Sequence, residues 1–220
     1  MSAMTSRASC HAVRRVVAAL ALLVVATGCG TASDPSPPAG VDGLTVPTPS
    51  PDPRDFVDEI DNPWLPLTPG ESWTYRAADA SSVVWSVESG PEIADVATTA
   101  LVMDGGVTDY YAQDESGNVW WLGREGEWQA GVDGAEAGIA MLATPRVGDG
   151  YLEAEPGPRA EILGVDGMTE TEAGAFEELV VIETTRPDGQ VLRSYYARDA
   201  GLVYRETVTG IPDETLELVE

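Results

Sequence analysis

Between residues 56 and 220 the chain never repeats apolar residues at three-and-four spacing for long enough to build a helix. What recurs is a short run rich in Val, Thr, Tyr and Trp, closed by Gly, Asp or Pro. β-Branched and aromatic side chains suit a pleated, half-buried surface, and Gly, Asp and Pro supply the turn geometry between such runs. Strands are expected at 72–77, 83–88, 98–103, 108–113, 119–124, 151–155, 161–165, 176–185, 191–197, 202–208 and 215–219. Connectors such as Asp104-Gly105-Gly106, Ser116-Gly117-Asn118 and Pro187-Asp188-Gly189 read as hairpin turns. The expected fold is mainly β: an antiparallel meander of about 10–11 strands forming a curved sheet, an open barrel or a sandwich. Leu179-Val180-Val181-Ile182 lacks alternation and reads as a central strand buried on both faces.

One pattern is written twice. Tyr110-Tyr111-Ala112-Gln113-Asp114, a turn, then Gly117-Asn118-Val119-Trp120-Trp121 is echoed by Tyr195-Tyr196-Ala197-Arg198-Asp199 followed by Gly201-Leu202-Val203-Tyr204. Each reads as a strand that ends at Asp and returns after a Gly. Neighbouring side chains in a strand point to opposite faces, so Tyr110 and Tyr111 diverge, as do Trp120 and Trp121. Both faces of the first hairpin therefore carry large aromatics. One packs on the core and the other needs cover, either from a second layer of the same chain or from a ligand or partner. Trp120, Trp121, Tyr110, Tyr111 and Trp128 form the candidate binding surface.

The N-terminal region has another character. Arg7, Arg14 and Arg15 precede an uninterrupted apolar run from Val16 to Ala26, long enough for a signal core and too short to span a bilayer. It ends in Ala26-Thr27-Gly28-Cys29, which resembles a bacterial lipobox: cleavage after Gly28 and acylation of Cys29 are expected. Residues 30–55 contain 7 of the 16 prolines and few large apolar groups, the composition of a disordered, extended tether. The organisation is therefore a lipoprotein signal peptide at 1–28, a lipidated Cys and Pro-rich tether at 29–55, and a single β-rich domain at 56–220.

Processing limits the chemistry. Cys10 and the one histidine, His11, leave with the signal, and Cys29 carries lipid. The mature chain is left without a histidine or a free thiol, which excludes Ser-His-Asp and Cys-His catalysis, His-ligated zinc and a disulfide. All 12 basic residues are Arg; losing three leaves 9 against 37 acidic residues, a net charge of −28. Nucleic acid is excluded as a partner, because its phosphates repel such a chain.

Asn62-Pro63-Trp64-Leu65-Pro66-Leu67-Thr68-Pro69-Gly70-Glu71-Ser72-Trp73-Thr74-Tyr75 resembles the opening motif of a family of uncharacterised bacterial secreted proteins and lipoproteins. So do the segment from Tyr110 to Gly123, Trp128-Gln129-Ala130-Gly131-Val132-Asp133-Gly134-Ala135, Pro145-Arg146-Val147-Gly148-Asp149 and the segment from Tyr195 to Glu206. The resemblance implies a β-rich extracytoplasmic domain and brings no catalytic residues with it.

Carboxylates are the abundant reactive groups. Asp133 and Glu136 near Trp128 could form a glycosidase pair only with a defined separation and one raised pKa. Asp114 to Asn118 offers oxygens as a calcium loop would, but without the spaced ligand series of an EF-hand; a hairpin turn accounts for it better. Residues 131–138 read as a Gly-rich connector, and the apolar stretch 139–142 as a plug for one barrel end. The expected function is that of a non-enzymatic binding module anchored to the outer side of a bacterial cell membrane. Its expected partners are the bilayer through Cys29 and an envelope protein or polymer, with no cofactor. The alternatives are a carrier of a hydrophobic ligand inside the curved sheet and a carboxylate-based hydrolase. The inside of the sheet discriminates them: a filled core favours surface binding, and an open apolar cavity of several hundred Å³ favours the carrier.

Overall fold

The computed structural model describes residues 51–220. The signal peptide, the cleavage position after Gly28, the Cys29 acylation site and the tether up to residue 50 lie outside the described residues. No helix among the described residues is long and apolar enough to cross a membrane. The described residues open with a 3-10 turn, Pro53–Asp55, capped by the Asp52 side chain.

Fifteen strands follow: β1 Phe56–Val57, β2 Ser72–Ala77, β3 Ser82–Ile93, β4 Val96–Met103, β5 Val107–Asp114, β6 Val119–Arg124, β7 Trp128–Gln129, β8 Glu136–Met141, β9 Gly150–Leu152, β10 Ala154–Glu155, β11 Arg159–Thr171, β12 Gly174–Thr185, β13 Val191–Ala197, β14 Gly201–Thr209 and β15 Leu216–Leu218. Thirteen of them form one antiparallel path, β10-β8-β6-β5-β4-β3-β2-β15-β14-β13-β12-β11-β9, with β1 beside β5 and β7 beside β6. The two edge strands, β9 and β10, are consecutive in the chain, separated by Glu153 alone. The sheet thus curls back on itself into a nearly closed barrel with one seam, and closure removes most of the exposed edge that an open sheet would present.

The seam needs a residue without a Cβ. On β8, a side-chain carbon at Gly138 would fall 2.4 Å from the Leu152 carbonyl oxygen and from the Glu153 carbonyl carbon. The segment 136–141, expected as a connector leading into a plug, is therefore a strand of the sheet. Its Ala and Gly residues let the opposite edge approach, and that small-residue composition hides the alternation that marks other strands. The stretch 179–182 lies in β12 and is buried throughout, as its unbroken apolar run predicts.

Both copies of the repeated pattern fold as hairpins with a bulge opposite the Tyr-Tyr step, although their turns differ in length. In the first hairpin Tyr110 pairs with Gly123 and Tyr111 with Trp121, so Leu122 is the extra residue of a bulge. In the second, Tyr195 pairs with Tyr204 and Tyr196 with Leu202, leaving Val203 as the extra residue. Both bulged residues are aliphatic and buried, at 2 % and 0 % exposure. A bulge bends its strand and increases the local twist, so these two positions add to the curvature of the sheet, as do the register shifts elsewhere in it.

One end of the barrel is closed by residues 62–67. Asn62 is buried and uses its whole side chain. Nδ2 donates to the carbonyls of Gly117 (2.8 Å) and Leu142 (3.3 Å), and Oδ1 accepts from the backbone N–H of Trp64 (2.9 Å) and Leu65 (3.2 Å). The backbone N–H of Asn62 donates to Gln113 Oε1 at 2.8 Å. The Pro63 carbonyl accepts from the backbone N–H of Asp199, and the Arg198 guanidinium lies 4.6 Å from the Trp64 ring centroid. The segment is thus tied to the turns of both repeated hairpins, which the strand directions bring to the same end. The plug is this Pro-rich segment and not 139–142.

Candidate functional site

Alternation along the strands sends one set of side chains into the barrel, where they surround a cavity of about 170 Å³. Leu65 from the plug, Tyr111 and Trp121 from the first hairpin, and Tyr196 and Leu202 from the second lie toward the closed end, while Leu101 on β4 stands directly across from Asp109. Met103, Asp109, Arg124, Glu153, Thr184 and Arg186 line the other end. There the side chains of Arg124 and Arg186 keep 27 % and 30 % of their surface exposed. The cavity therefore mixes aromatic and aliphatic walls with charged groups, the Arg124 guanidinium lying 5.2 Å from the Trp121 ring centroid.

Three of the nine arginines of the expected mature chain, Arg124, Arg186 and Arg205, line this one cavity. Two are neutralised by carboxylates in fork-to-fork pairs. Arg124 donates from Nε to Asp109 Oδ1 (2.7 Å) and from Nη2 to Asp109 Oδ2 (2.8 Å). This pairing holds the Arg124 proton more tightly than usual, the hydrogen bonds to Asp109 outweighing the cost of burial. Arg186 makes the same kind of pair with Glu214, at 2.5 and 2.8 Å, and also contacts Gln190. Arg205 differs. Its Nε donates to Ser194 Oγ at 3.1 Å and its guanidinium stands 5.6 Å from the Trp85 ring centroid, but among the described residues it has no carboxylate within salt-bridge distance.

Glu153, the residue between the two edge strands, points into the same space and accepts a hydrogen bond from Thr184 Oγ1 at 3.0 Å. Its surface is half-buried, because a water-sized sphere reaches it through the cavity, yet protein surrounds it on every side. Burial pushes its pKa up to about 7; the Thr184 hydrogen bond and the fields of Arg205 and Arg186 pull the other way, and Asp109 raises it further. Trp121, which also lines the cavity, has an indole N–H without an acceptor among the described residues, and so does the buried hydroxyl of Tyr151 on β9. Burial raises the pKa of Tyr111, Tyr151 and Tyr196, so all three remain neutral phenols.

The five aromatic residues expected to form a binding surface divide. Trp121 and Tyr111 face the cavity. Trp120 and Tyr110 lie on the outer face, at 1 % and 7 % exposure. Phe56 covers Trp120 edge-on at a centroid distance of 6.4 Å, and the Trp120 indole N–H donates to Asp114 Oδ2 at 2.8 Å. Cover for that face comes from the N-terminal segment of the same chain, so these two side chains are closed to a partner. Trp128 packs edge-on against Trp121, 4.8 Å between centroids. The oxygens of Asp114 accept from Asn118 and Trp120, which makes 114–118 a hydrogen-bonded turn. Among the described residues no three potential metal ligands come together. Glu153 and Arg205 were not foreseen in the sequence, because each gains its meaning from residues far away in the chain.

No family model matches the chain, and no curated protein matches it. Two solved structures do. One, from Bacteroides fragilis, is named an exported protein with a YmcC-like fold; it is 14 % identical, with a TM-score of 0.39 over 71 % of this chain and 97 % of that one. The other, from Parabacteroides distasonis, is named a lipoprotein; it is 15 % identical, with a TM-score of 0.31 over 71 % and 97 % of the two chains. The motif set from Asn62 to Glu206 therefore stands without a matching family model.

Proposed function

We propose that this chain is a lipid-anchored binding protein of the bacterial envelope that holds a small amphiphilic molecule inside its barrel. The supporting observation is the cavity itself, about 170 Å³ and lined by both apolar and charged side chains. An engineered apolar cavity of roughly 150 Å³ accommodates benzene, so the space suits a ligand of about ring size. A long acyl chain does not fit this volume, and a wholly apolar carrier would not place Arg205 and Glu153 in the wall. The ligand class thus shifts from the hydrophobic cargo expected of a carrier to a compact molecule with one polar end.

The domain binds its ligand and leaves it unchanged. Two carboxylates line the cavity, Asp109 and Glu153, but both Asp109 oxygens are engaged by Arg124, so Glu153 stands without the second free carboxylate that a glycosidase-type pair needs. Anchoring is by the acyl groups on Cys29 after cleavage behind Gly28, with residues 30–55 as the stalk. Replacing Cys29→Ala should move the chain from the membrane to the soluble fraction. Ligand binding is tested by native mass spectrometry of the full chain extracted from the envelope of the bacterium that makes it. The expected result is an added mass on the order of 100–200 Da that leaves on denaturation. A bare chain mass from every extraction contradicts the reading.

A further inference from the structure

The cavity can be asked which polar end it selects. Burying a guanidinium costs several kcal/mol unless an opposite charge meets it. Arg124 and Arg186 each have that charge in a forked carboxylate. Arg205 is half-buried against Trp85, with the Ser194 hydroxyl accepting from Nε and the Tyr196 hydroxyl beside it, and neither hydroxyl carries a charge. Glu153, which feels the field of Arg205, accepts a hydrogen bond from Thr184 and forms no salt bridge with Arg205. Ser194 holds Nε, Arg205 lines the cavity, and among the described residues no carboxylate forms a salt bridge with it.

Resting on the reading of the barrel as a ligand holder, we infer that Arg205 is the anchor for the single anionic group of a small aromatic acid, whose ring lies between Trp85, Trp121 and Leu202. Three features agree. A guanidinium edge matches a carboxylate in two parallel hydrogen bonds. The volume is that of one ring, and aromatic side chains from both halves of the sheet form its walls. Arg124 and Arg186 are each neutralised by a carboxylate, so Arg205 is the cavity arginine left to meet an anion, and the net charge of −28 expected for the mature chain is screened over a Debye length of about 8 Å.

The test uses the full chain in phosphatidylcholine nanodiscs and two probes of equal shape, benzoate and benzamide, titrated calorimetrically. Benzoate is expected to bind at least about tenfold more tightly than benzamide, a gap equivalent to about 1.4 kcal/mol. Arg205→Gln should reduce that ratio to near one while leaving benzamide binding in place, and Arg205→Lys should restore part of it. Ser194→Ala keeps the charge and releases its orientation, so it should weaken benzoate several-fold and leave benzamide unmoved. Equal affinity of the wild-type chain for both probes overturns the anion anchor while the ligand-holding reading stands. Saturable binding of neither probe overturns both, and because these two results need no variant, a failure of Arg205→Gln to fold does not shield the inference.

Discussion

Asn62 Nδ2 donates to the Gly117 carbonyl at 2.8 Å, joining the Pro-rich plug to the turn of the first repeated hairpin across 55 residues of sequence. The same side chain bonds Leu142 and the backbone of Trp64 and Leu65. It is 1 % exposed, so its partners have no water to turn to if it is removed.

Asn62→Ala should therefore destabilise the domain by about 2–4 kcal/mol, the cost of several buried groups left without partners. Denaturant unfolding followed by tryptophan fluorescence measures it. A loss below about 0.5 kcal/mol would mean that the plug does not depend on this residue.

The seam depends on Gly138. Gly138→Ala puts a methyl group where the backbone of Leu152 and Glu153 already lies, 2.4 Å away, so one edge must withdraw. The expected cost is on the order of 2–4 kcal/mol. Hydrogen exchange should report faster opening in β9 and β10 than in β4 and β5; uniform acceleration across the sheet would instead indicate a purely global effect.

Glu153 predicts a pH dependence with a definite sign. Its folded pKa of about 7 lies above its ordinary value of 4.5, so the folded chain holds a proton that the unfolded chain releases. The stability this provides is complete below pH 4.5 and is lost as pH rises through about 7. Allowing for the water that the cavity admits, the change is on the order of 2 kcal/mol. Glu153→Gln should flatten this part of the stability profile and make the chain the more stable of the two at pH 8. Identical profiles for both chains would show that Glu153 keeps its ordinary pKa.

Much of this architecture is legible in the residues themselves. The strands around Trp73, Tyr111, Val181 and Tyr196 announce themselves through β-branched and aromatic runs, and the repeated Tyr-Tyr-Ala motif marks two hairpins. What the sequence hides is which face becomes concave. Tyr110 and Tyr111 differ by one position, yet the first is sealed on the outer side and the second lines the cavity. That choice depends on how distant strands pair and curl together, the bulges at Leu122 and Val203 included, and pairing is not written in either residue's neighbours. Residues 136–141 escape notice because closure asks for small side chains there. Arg205 acquires its role only when β14 is set opposite β5 and β6, and Glu153 only when two edges meet.

Filling the cavity tests the central claim most directly. Ala140 lines the interior and carries no charge. Ala140→Phe adds roughly the volume of the ring that the cavity is proposed to hold and leaves Arg205, Glu153 and the plug in place. Native mass spectra of the wild-type and Ala140→Phe chains, extracted side by side from the same envelope, give the comparison, with circular dichroism confirming that both are folded. The account predicts a small-molecule adduct on the wild-type chain and none on the folded variant. An adduct of equal mass and occupancy on both chains would contradict it, because the ligand would then sit outside the barrel.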